Sequence, residues 1–341
     1  MGGMRAIPVL DARAAEHPAA FACRALPAET AELVRAAERH YSRAAVLLGD
    51  RVSRRWLARN RTPYAREVEA IAAAVARPGA HLLNTSFEWG CTTGVRPTGA
   101  GGMEMLRILD WNLDGLGRNL CVIRQSGPAG EWWNIGWPGF AGCITGIAPG
   151  RFAAAINQPP LPETALGRLA RQGKLRLPAV LLDWAAQRPL TWRSDAPPPS
   201  HLLRRAMEEA RDYEAALALL RDAPIAAPAL FILSGTSAGE GAVIERLRTE
   251  ARVRHAAPAV AAANHWDAMP VRGAPRWRNS EAREACLLAR FAVEPPVLNE
   301  LTRVVARMDA GRGTLALAGY EAQGMASELP AGALAAAEAA A

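Results

Sequence analysis

Leu83-Asn84-Thr85-Ser86-Phe87-Glu88-Trp89-Gly90-Cys91-Thr92-Thr93, followed by Leu106-Arg107-Ile108-Leu109-Asp110-Trp111, is the most informative stretch of this 341-residue chain. A free cysteine in an apolar run usually packs as a small hydrophobe, and Cys121, Cys143 and Cys286 read that way. Cys91 differs: it follows a glycine, precedes two threonines and lies between two strand-like runs. Arg107 and Asp110 stand three apart on the next strand. With a period of two they point to opposite faces unless the strand bulges or ends there. By pattern alone the two are equally an ordinary edge ion pair.

Working outward, residues 27 to 78 are helical in pattern. Leu33, Ala37, Tyr41, Ala44 and Leu48 recur at steps of three and four, Gly49 reads as a stop, and a second helix spans about Tyr64 to Ala76. From 81 to 157 the texture changes to short apolar runs between Gly, Pro and Asn. The expected strands are His81–Asn84, Met103–Trp111, Leu120–Arg124, Glu131–Gly136, Gly142–Ala148 and Arg151–Asn157, joined as antiparallel hairpins. His201–Leu220 reads as one amphipathic helix. Strands return at Ala229–Leu233, Ala242–Glu245, Pro258–Ala263, Thr302–Met308 and Thr314–Ala318, interrupted by a helix over Ser280–Arg290. The absence of a regular βαβ alternation points to an α+β class.

Composition narrows the function classes. Half the residues are hydrophobic, 21% are charged and mean hydropathy is -0.03, which excludes a mainly disordered chain. Lys+Arg number 40 against 33 Asp+Glu, a formal +7. The densest basic run, Arg54, Arg55, Arg59, Arg61 and Arg66, is followed at once by Glu67 and Glu69, and this interleaving reads as a solvated surface. Five scattered cysteines without CxxC or Cys/His spacing argue against a disulfide framework or a zinc site. With no apolar h-region at the N-terminus and no long uncharged run, the expectation is a cytoplasmic protein without stable membrane insertion. Phosphate-loop, dinucleotide, zincin and nucleophile-elbow motifs are absent, and Gly235–Gly241 reads as a hairpin turn.

The order of several short motifs carries more. Cys91-Thr92-Thr93 precedes Arg107-Ile108-Leu109-Asp110. Gly142-Cys143-Ile144-Thr145-Gly146 runs on to Gly150-Arg151-Phe152 and ends at Asn157. Asn264-His265-Trp266 and Asn279-Ser280 with Arg283 follow. In this order they resemble the linear-amide hydrolases of the Ntn-hydrolase superfamily, the group of acid ceramidase, penicillin V acylase and the penicillin acyltransferases. The resemblance covers roughly residues 60 to 318. Thr93 stands where Ser is common, and Gln158 follows Asn157 where Glu is frequent.

The resemblance implies an αββα four-layer sandwich of two antiparallel sheets with an N-terminal helical segment. It implies autocatalytic cleavage between Gly90 and Cys91, giving residues 1–90 and a catalytic unit from 91 to 330, with 331–341 an Ala-rich tail. Cys91 is then the nucleophile and its own α-amine, which titrates close to neutrality, the base. Arg107 favours the thiolate and Asp110 orients the amine. Asn264 first and Asn157 second are the oxyanion donors. Arg283, or Arg278 if the register differs by a turn, supports the site or binds substrate, against the plain alternative of a helix-surface arginine. Trp89, Trp111, Trp133 and Trp137 are candidate walls for an acyl group, with core packing the alternative. The implied reaction is hydrolysis of a small N-acyl amide, without cofactor or metal. Transfer to an amine acceptor uses the same residues, and a basic nucleic-acid binder is the remote third reading. Substrate identity and homo-oligomer formation are left open.

Overall fold

The computed structural model describes residues 4–85, 89–99, 101–273, 279–292 and 298–339. The chain opens with two short strands, β1 (Arg5–Ala6) and β2 (Val9–Asp11). The helices α1 (Pro18–Ala25), α2 (Pro27–Tyr41), α3 (Arg43–Leu57), α4 (Ala65–Val75) and α5 (Ala80–Leu83) follow. Six strands come next: β3 (Gly90–Pro97), β4 (Met103–Asp110), β5 (Cys121–Gly127), β6 (Gly130–Gly136), β7 (Thr145–Ala148) and β8 (Phe152–Asn157). Four helices, α6 (Ala165–Gln172), α7 (Arg176–Arg193), α8 (Pro199–Glu209) and α9 (Tyr213–Asp222), lead to β9 (Ala229–Ser234), β10 (Gly241–Arg246), β11 (Ala251–His255) and β12 (Val260–Ala262). The chain finishes with α10 (Ser280–Arg290), β13 (Thr302–Asp309), β14 (Thr314–Glu321), β15 (Gly324–Glu328) and α11 (Ala333–Ala339).

The strands form two sheets. One has seven strands in the order β1-β15-β14-β13-β4-β3-β12, the other eight in the order β11-β10-β9-β8-β7-β6-β5-β2. Pairing is antiparallel except at two edges, where β1 lies parallel to β15 and β2 parallel to β5. The sheets face each other through a core that includes Met103, Met105, Leu109, Trp132, Phe152 and Phe231. Helices α8 and α9 pack on the eight-stranded sheet and α10 packs on β3 and β12. The expected α+β sandwich with helices outside is therefore present, with parallel strands added at its edges. Runs such as β9, Ala-Leu-Phe-Ile-Leu-Ser, are buried on both faces and show continuous apolar character rather than alternation.

The helical segment has its own core, with Ala19, Ala20, Cys23, Trp56, Leu57, Val68 and Ile71 at its centre. It is pinned to the sandwich by a buried ion pair, Arg204 Nη1 to Glu67 Oε2 at 2.5 Å, while Glu67 Oε1 accepts from Ala19 N at 2.6 Å. Two arginines of the basic run are paired, Arg54 with Glu69 and Arg61 with Asp195.

Three local expectations are corrected. The stretch His81–Asn84 is helical through Leu83, because Asp50 Oδ1 accepts from the backbone N–H of His81 (2.8 Å) and Leu82 (3.2 Å), capping the first turn from another helix. Helix α3 runs through Gly49, and the break falls at Ser42 in the left-handed region (φ 71°). A Cβ on Gly49 would lie 2.9 Å from Leu82 Cδ1, so the glycine serves the close approach of α3 to α5. The stretch His201–Leu220 is two helices, because Asp212 starts the second by accepting from Ala215 N at 2.8 Å.

Candidate active site

Cys91 lies within a strand, one residue into β3, whose first six residues are buried between β4 and β12. Alternation decides the rest. Cys91 and Val95 belong to the core between the sheets, as do Met105 and Leu109 on β4, whereas Leu106 and Ile108 pack beneath α10. Arg107 therefore points inward and Asp110 outward, on opposite faces as a regular strand requires. Both still lie beside Cys91, because Asp110 pairs with Gly90 and Arg107 with Thr93 across the β3–β4 ladder.

On the inner face Arg107 is fully buried. Its Nη1 donates to Thr93 Oγ1 at 2.9 Å and to Asn157 Oδ1, and its Nη2 donates to Ile156 O at 3.0 Å. Asn157, the last residue of β8, donates through Nδ2 to Ala262 O (2.8 Å) and Ala263 O (3.1 Å), so it ties the two sheets together.

On the outer side Asn264 and Arg283 complete the cluster. Asn264 Oδ1 accepts from Cys91 N at 2.8 Å and from Arg283 Nη2 at 2.9 Å, while its Nδ2 donates to Gln158 O at 2.8 Å. These three partners fix which end of the amide is which. Arg283 Nη1 donates to Cys91 O at 2.8 Å and Thr92 Oγ1 at 2.7 Å, and lies 3.7 Å from Asp110 Oδ2. Asp110 Oδ1 accepts from Thr302 Oγ1 at 2.9 Å. Burial pushes the Cys91 thiol up to about 11; Arg107 and Arg283 pull it down and Asp110 opposes them. Burial lowers Arg283 from its ordinary value, with Asp110 and Cys91 working against that shift. Two guanidinium groups and one carboxylate leave a net positive charge beside the sulfur, which offsets part of the effect of burial while the neutral thiol stays favoured.

The structure thus brings together Gly90, Cys91, Arg107, Asp110, Asn157, Asn264 and Arg283. Arg278 and Glu88 lie outside the described residues. Asn84 is occupied structurally, bonding Ala80 O, Gly139 O and Ala141 N. Trp89, Trp111, Trp133 and Trp137 are buried in the large core that also holds Cys91, with Trp89 and Trp111 edge-to-face at 5.4 Å. None of the four lines the cavity beside the site. That cavity, about 130 Å³, is walled by Leu106, Ile108, Leu287 and Leu298, with Thr92, Asp110, Arg283 and Cys286 at its polar side. A larger hollow of about 560 Å³ lies at the far end of β3 from Cys91, among Arg96, Glu104, Arg307 and Asp309.

Sequence reasoning gave no role to a second layer. Ser280 Oγ accepts from Asn264 N at 2.7 Å and lies 2.8 Å from His265 Nδ1. His265 Nε2 lies 3.2 Å from Asp267 Oδ1 and 3.5 Å from Glu284 Oε2. His265 is raised from its ordinary value, mainly by its bond to Asp267, and burial pushes Glu284 up to about 7. His265, Asp267 and Glu284 offer ligand atoms within 4.8 Å of one another, a spacing that could hold a single metal ion. Arg254 already supplies positive charge there, 2.6 Å from Asp267 Oδ2 and 3.7 Å from Glu284 Oε1. The adjacency of Ser280 and His265 to Asn279 and Asn264 was the only signal available; the contacts themselves are tertiary.

No family model matches the chain. Among curated proteins it is similar to acid ceramidases, in agreement with the resemblance drawn from the motifs. It is 33% identical to that of Pan troglodytes over 147 residues, which is 43% of this chain and 31% of the ceramidase. The Homo sapiens protein is 32% identical over the same shares. That of Balaenoptera acutorostrata scammoni is 26% identical over 209 residues, 55% of this chain and 48% of the ceramidase. The chain thus spans about a third to a half of the length of the curated relatives it matches. Among solved structures, a Caenorhabditis elegans N-acylethanolamine-hydrolyzing acid amidase ortholog superposes with a TM-score of 0.44 at 19% identity, covering 65% of this chain and 93% of that one.

Proposed function

We propose that the chain is an N-terminal-nucleophile cysteine hydrolase that cuts its own Gly90–Cys91 bond and then hydrolyses linear N-acyl amides through a thioester on Cys91. The observation that carries this reading is the hydrogen bond from Cys91 N to Asn264 Oδ1. In a cleaved enzyme that nitrogen is the catalytic amine, and an acceptor is already aimed at it. Similarity to acid ceramidases supports the bond class, an amide between an acyl group and an amine.

In the first step Cys91 Sγ attacks the Gly90 carbonyl carbon, the Gly90–Cys91 C–N bond breaks as Cys91 N takes the thiol proton, and a thioester forms. Water then releases the Gly90 carboxylate and leaves Cys91 with a free thiol and a free amine. In turnover the α-amine takes the thiol proton and Sγ bonds the substrate carbonyl carbon. The substrate C–N bond breaks as its nitrogen takes the proton back. A water then gives a proton to the α-amine and attacks the thioester, freeing the carboxylic acid while the ammonium returns that proton to the departing Cys91 sulfur.

Arg107 and Arg283 stabilise the thiolate, and Asp110 and Asn264 Oδ1 orient the ammonium. Asn264 Nδ2 is spent on Gln158 O in the uncut chain, so acting as oxyanion donor requires it to exchange that partner; a donor of this kind contributes about 3 kcal/mol.

The test is the intact mass of purified wild type beside Cys91→Ala, followed by product analysis on a panel of N-acyl amides with and without an added amine. Wild type resolving into 1–90 and 91–341, Cys91→Ala staying whole, and free acid released from at least one amide is the expected result. An uncut wild type without amidase activity overturns the reading. A product that appears only with the added amine moves the assignment to an acyltransferase.

A further inference from the structure

Three residues near the start of α10 face the end of β12. Ser280, Arg283 and Glu284 stand at i, i+3 and i+4, so they share one side of the helix. Each holds a different part of the same short segment. Glu284 Oε2 accepts from Ala263 N at 3.1 Å, Ser280 Oγ accepts from Asn264 N at 2.7 Å, and Arg283 Nη2 donates to Asn264 Oδ1 at 2.9 Å. The backbone of Asn264 is thereby fixed separately from its side chain. The side-chain oxygen so aimed is the acceptor of Cys91 N.

A serine hydroxyl is a free rotor until a second partner fixes it. His265 Nδ1, at 2.8 Å, is that partner. The ring is oriented from behind. Its Nε2 lies 3.2 Å from Asp267 Oδ1 and 3.5 Å from Glu284 Oε2, so two carboxylates keep a proton on Nε2 and turn Nδ1 to the hydroxyl. Asp267 is tied in turn to β10, where the fully buried Glu245 accepts from the N–H groups of Asp267, Ala268 and Met269. Carboxylate, imidazole and hydroxyl follow one another as in a hydrolytic triad. Here, however, the hydroxyl is buried and spent on Asn264 N, which excludes it as a second nucleophile.

We propose that Ser280, held by His265, is a positioning residue for the chemistry at Cys91: it sets the backbone of Asn264 so that Oδ1 meets the Cys91 nitrogen. The inference rests on the role given to that nitrogen above and adds the pair that aims its acceptor. A shift of about 1 Å in such a group costs on the order of 10²-fold in rate, with substrate contacts left as they are.

The test follows self-cleavage by intact mass, and kcat per cut chain and KM on an N-acyl amide, in wild type, Ser280→Ala, His265→Asn and His265→Gln, with the unfolding midpoint of each. Asn brings an amide to the place of Nδ1, and Gln to that of Nε2. Ser280→Ala and His265→Gln are expected to cut themselves about tenfold more slowly or worse, and to lose about tenfold or more in kcat with KM within about twofold of wild type. His265→Asn is expected to keep most of both rates. Equal losses in the two His265 variants overturn the proposal, because the ring then acts only through its carboxylate contacts. An active wild type beside an equally active Ser280→Ala removes this inference alone. A wild type that neither cuts itself nor hydrolyses an amide removes the reading of Cys91 and this inference with it.

Discussion

Arg107 serves three acceptors at once from a fully buried position, and its two terminal nitrogens are what make that geometry feasible. Replacing it by Ala removes this donor from Thr93 Oγ1 and Ile156 O and leaves Asn157 Oδ1 with only the bond from Thr93 Oγ1 at 2.9 Å. The expected cost is about 3 kcal/mol or more, read from the midpoint of denaturant unfolding, and Arg107→Lys recovers only part of it. Glu284 gives a prediction in pH. Its carboxyl titrates at about 7 in the fold, against 4.5 ordinarily, so the folded state holds the proton more tightly. Its contribution is fully present below about 4.5 and is lost as pH rises through about 7. The unfolding temperature of wild type is expected to fall across that window, and Glu284→Gln to flatten the slope; an unchanged slope in the variant refutes the assignment. The site residues were legible because their order along the chain matches a known pattern. Ser280 and His265 were seen as letters without roles, because their contacts to Asn264 and the carboxylates depend on how α10 meets the end of β12.

At the scale of elements, capping from a distance explains where pattern reading failed. The stretch at His81 looks like a strand on its own, and it is Asp50, thirty-one residues away, that turns its first N–H groups into a helix start. Asp50→Ala is expected to cost about 1 kcal/mol, measured by urea unfolding, which is the usual worth of an N-cap. Most strands from Met103 onward were readable because Gly and Pro punctuate short apolar runs, and the helix over Ser280–Arg290 appears with those bounds. The strand that carries Cys91 was not. Gly-Cys-Thr-Thr-Gly has little intrinsic preference for a strand, and β3 is extended because β4 and β12 pair with it on both sides.

At the scale of the whole molecule, two sheets with helices outside follow from the motif resemblance, while the parallel edges do not. A two-residue strand such as Arg5–Ala6 has no sequence signature; it exists because β15 offers an open edge. Residues 5–11 thus join both sheets, β1 on one and β2 on the other, and Glu67–Arg204 adds a buried link from α4 to α8. After cleavage at Gly90 the two pieces are expected to migrate together on a gel-filtration column under native conditions and to separate in denaturant. Independent elution in buffer alone contradicts that account.

Those edge strands also set a direction in time. Arg5 meets Ser327 only after the residues between them have been synthesised, so β15 closes the sheet that β1 borders. A cut at Gly90 made after that closure turns a reunion within one chain into an encounter between two. The severed protein, once melted, is then expected to recover its fold at a rate that depends on concentration, and poorly when dilute. Its working lifetime is governed by how slowly it comes apart rather than by how readily it reforms.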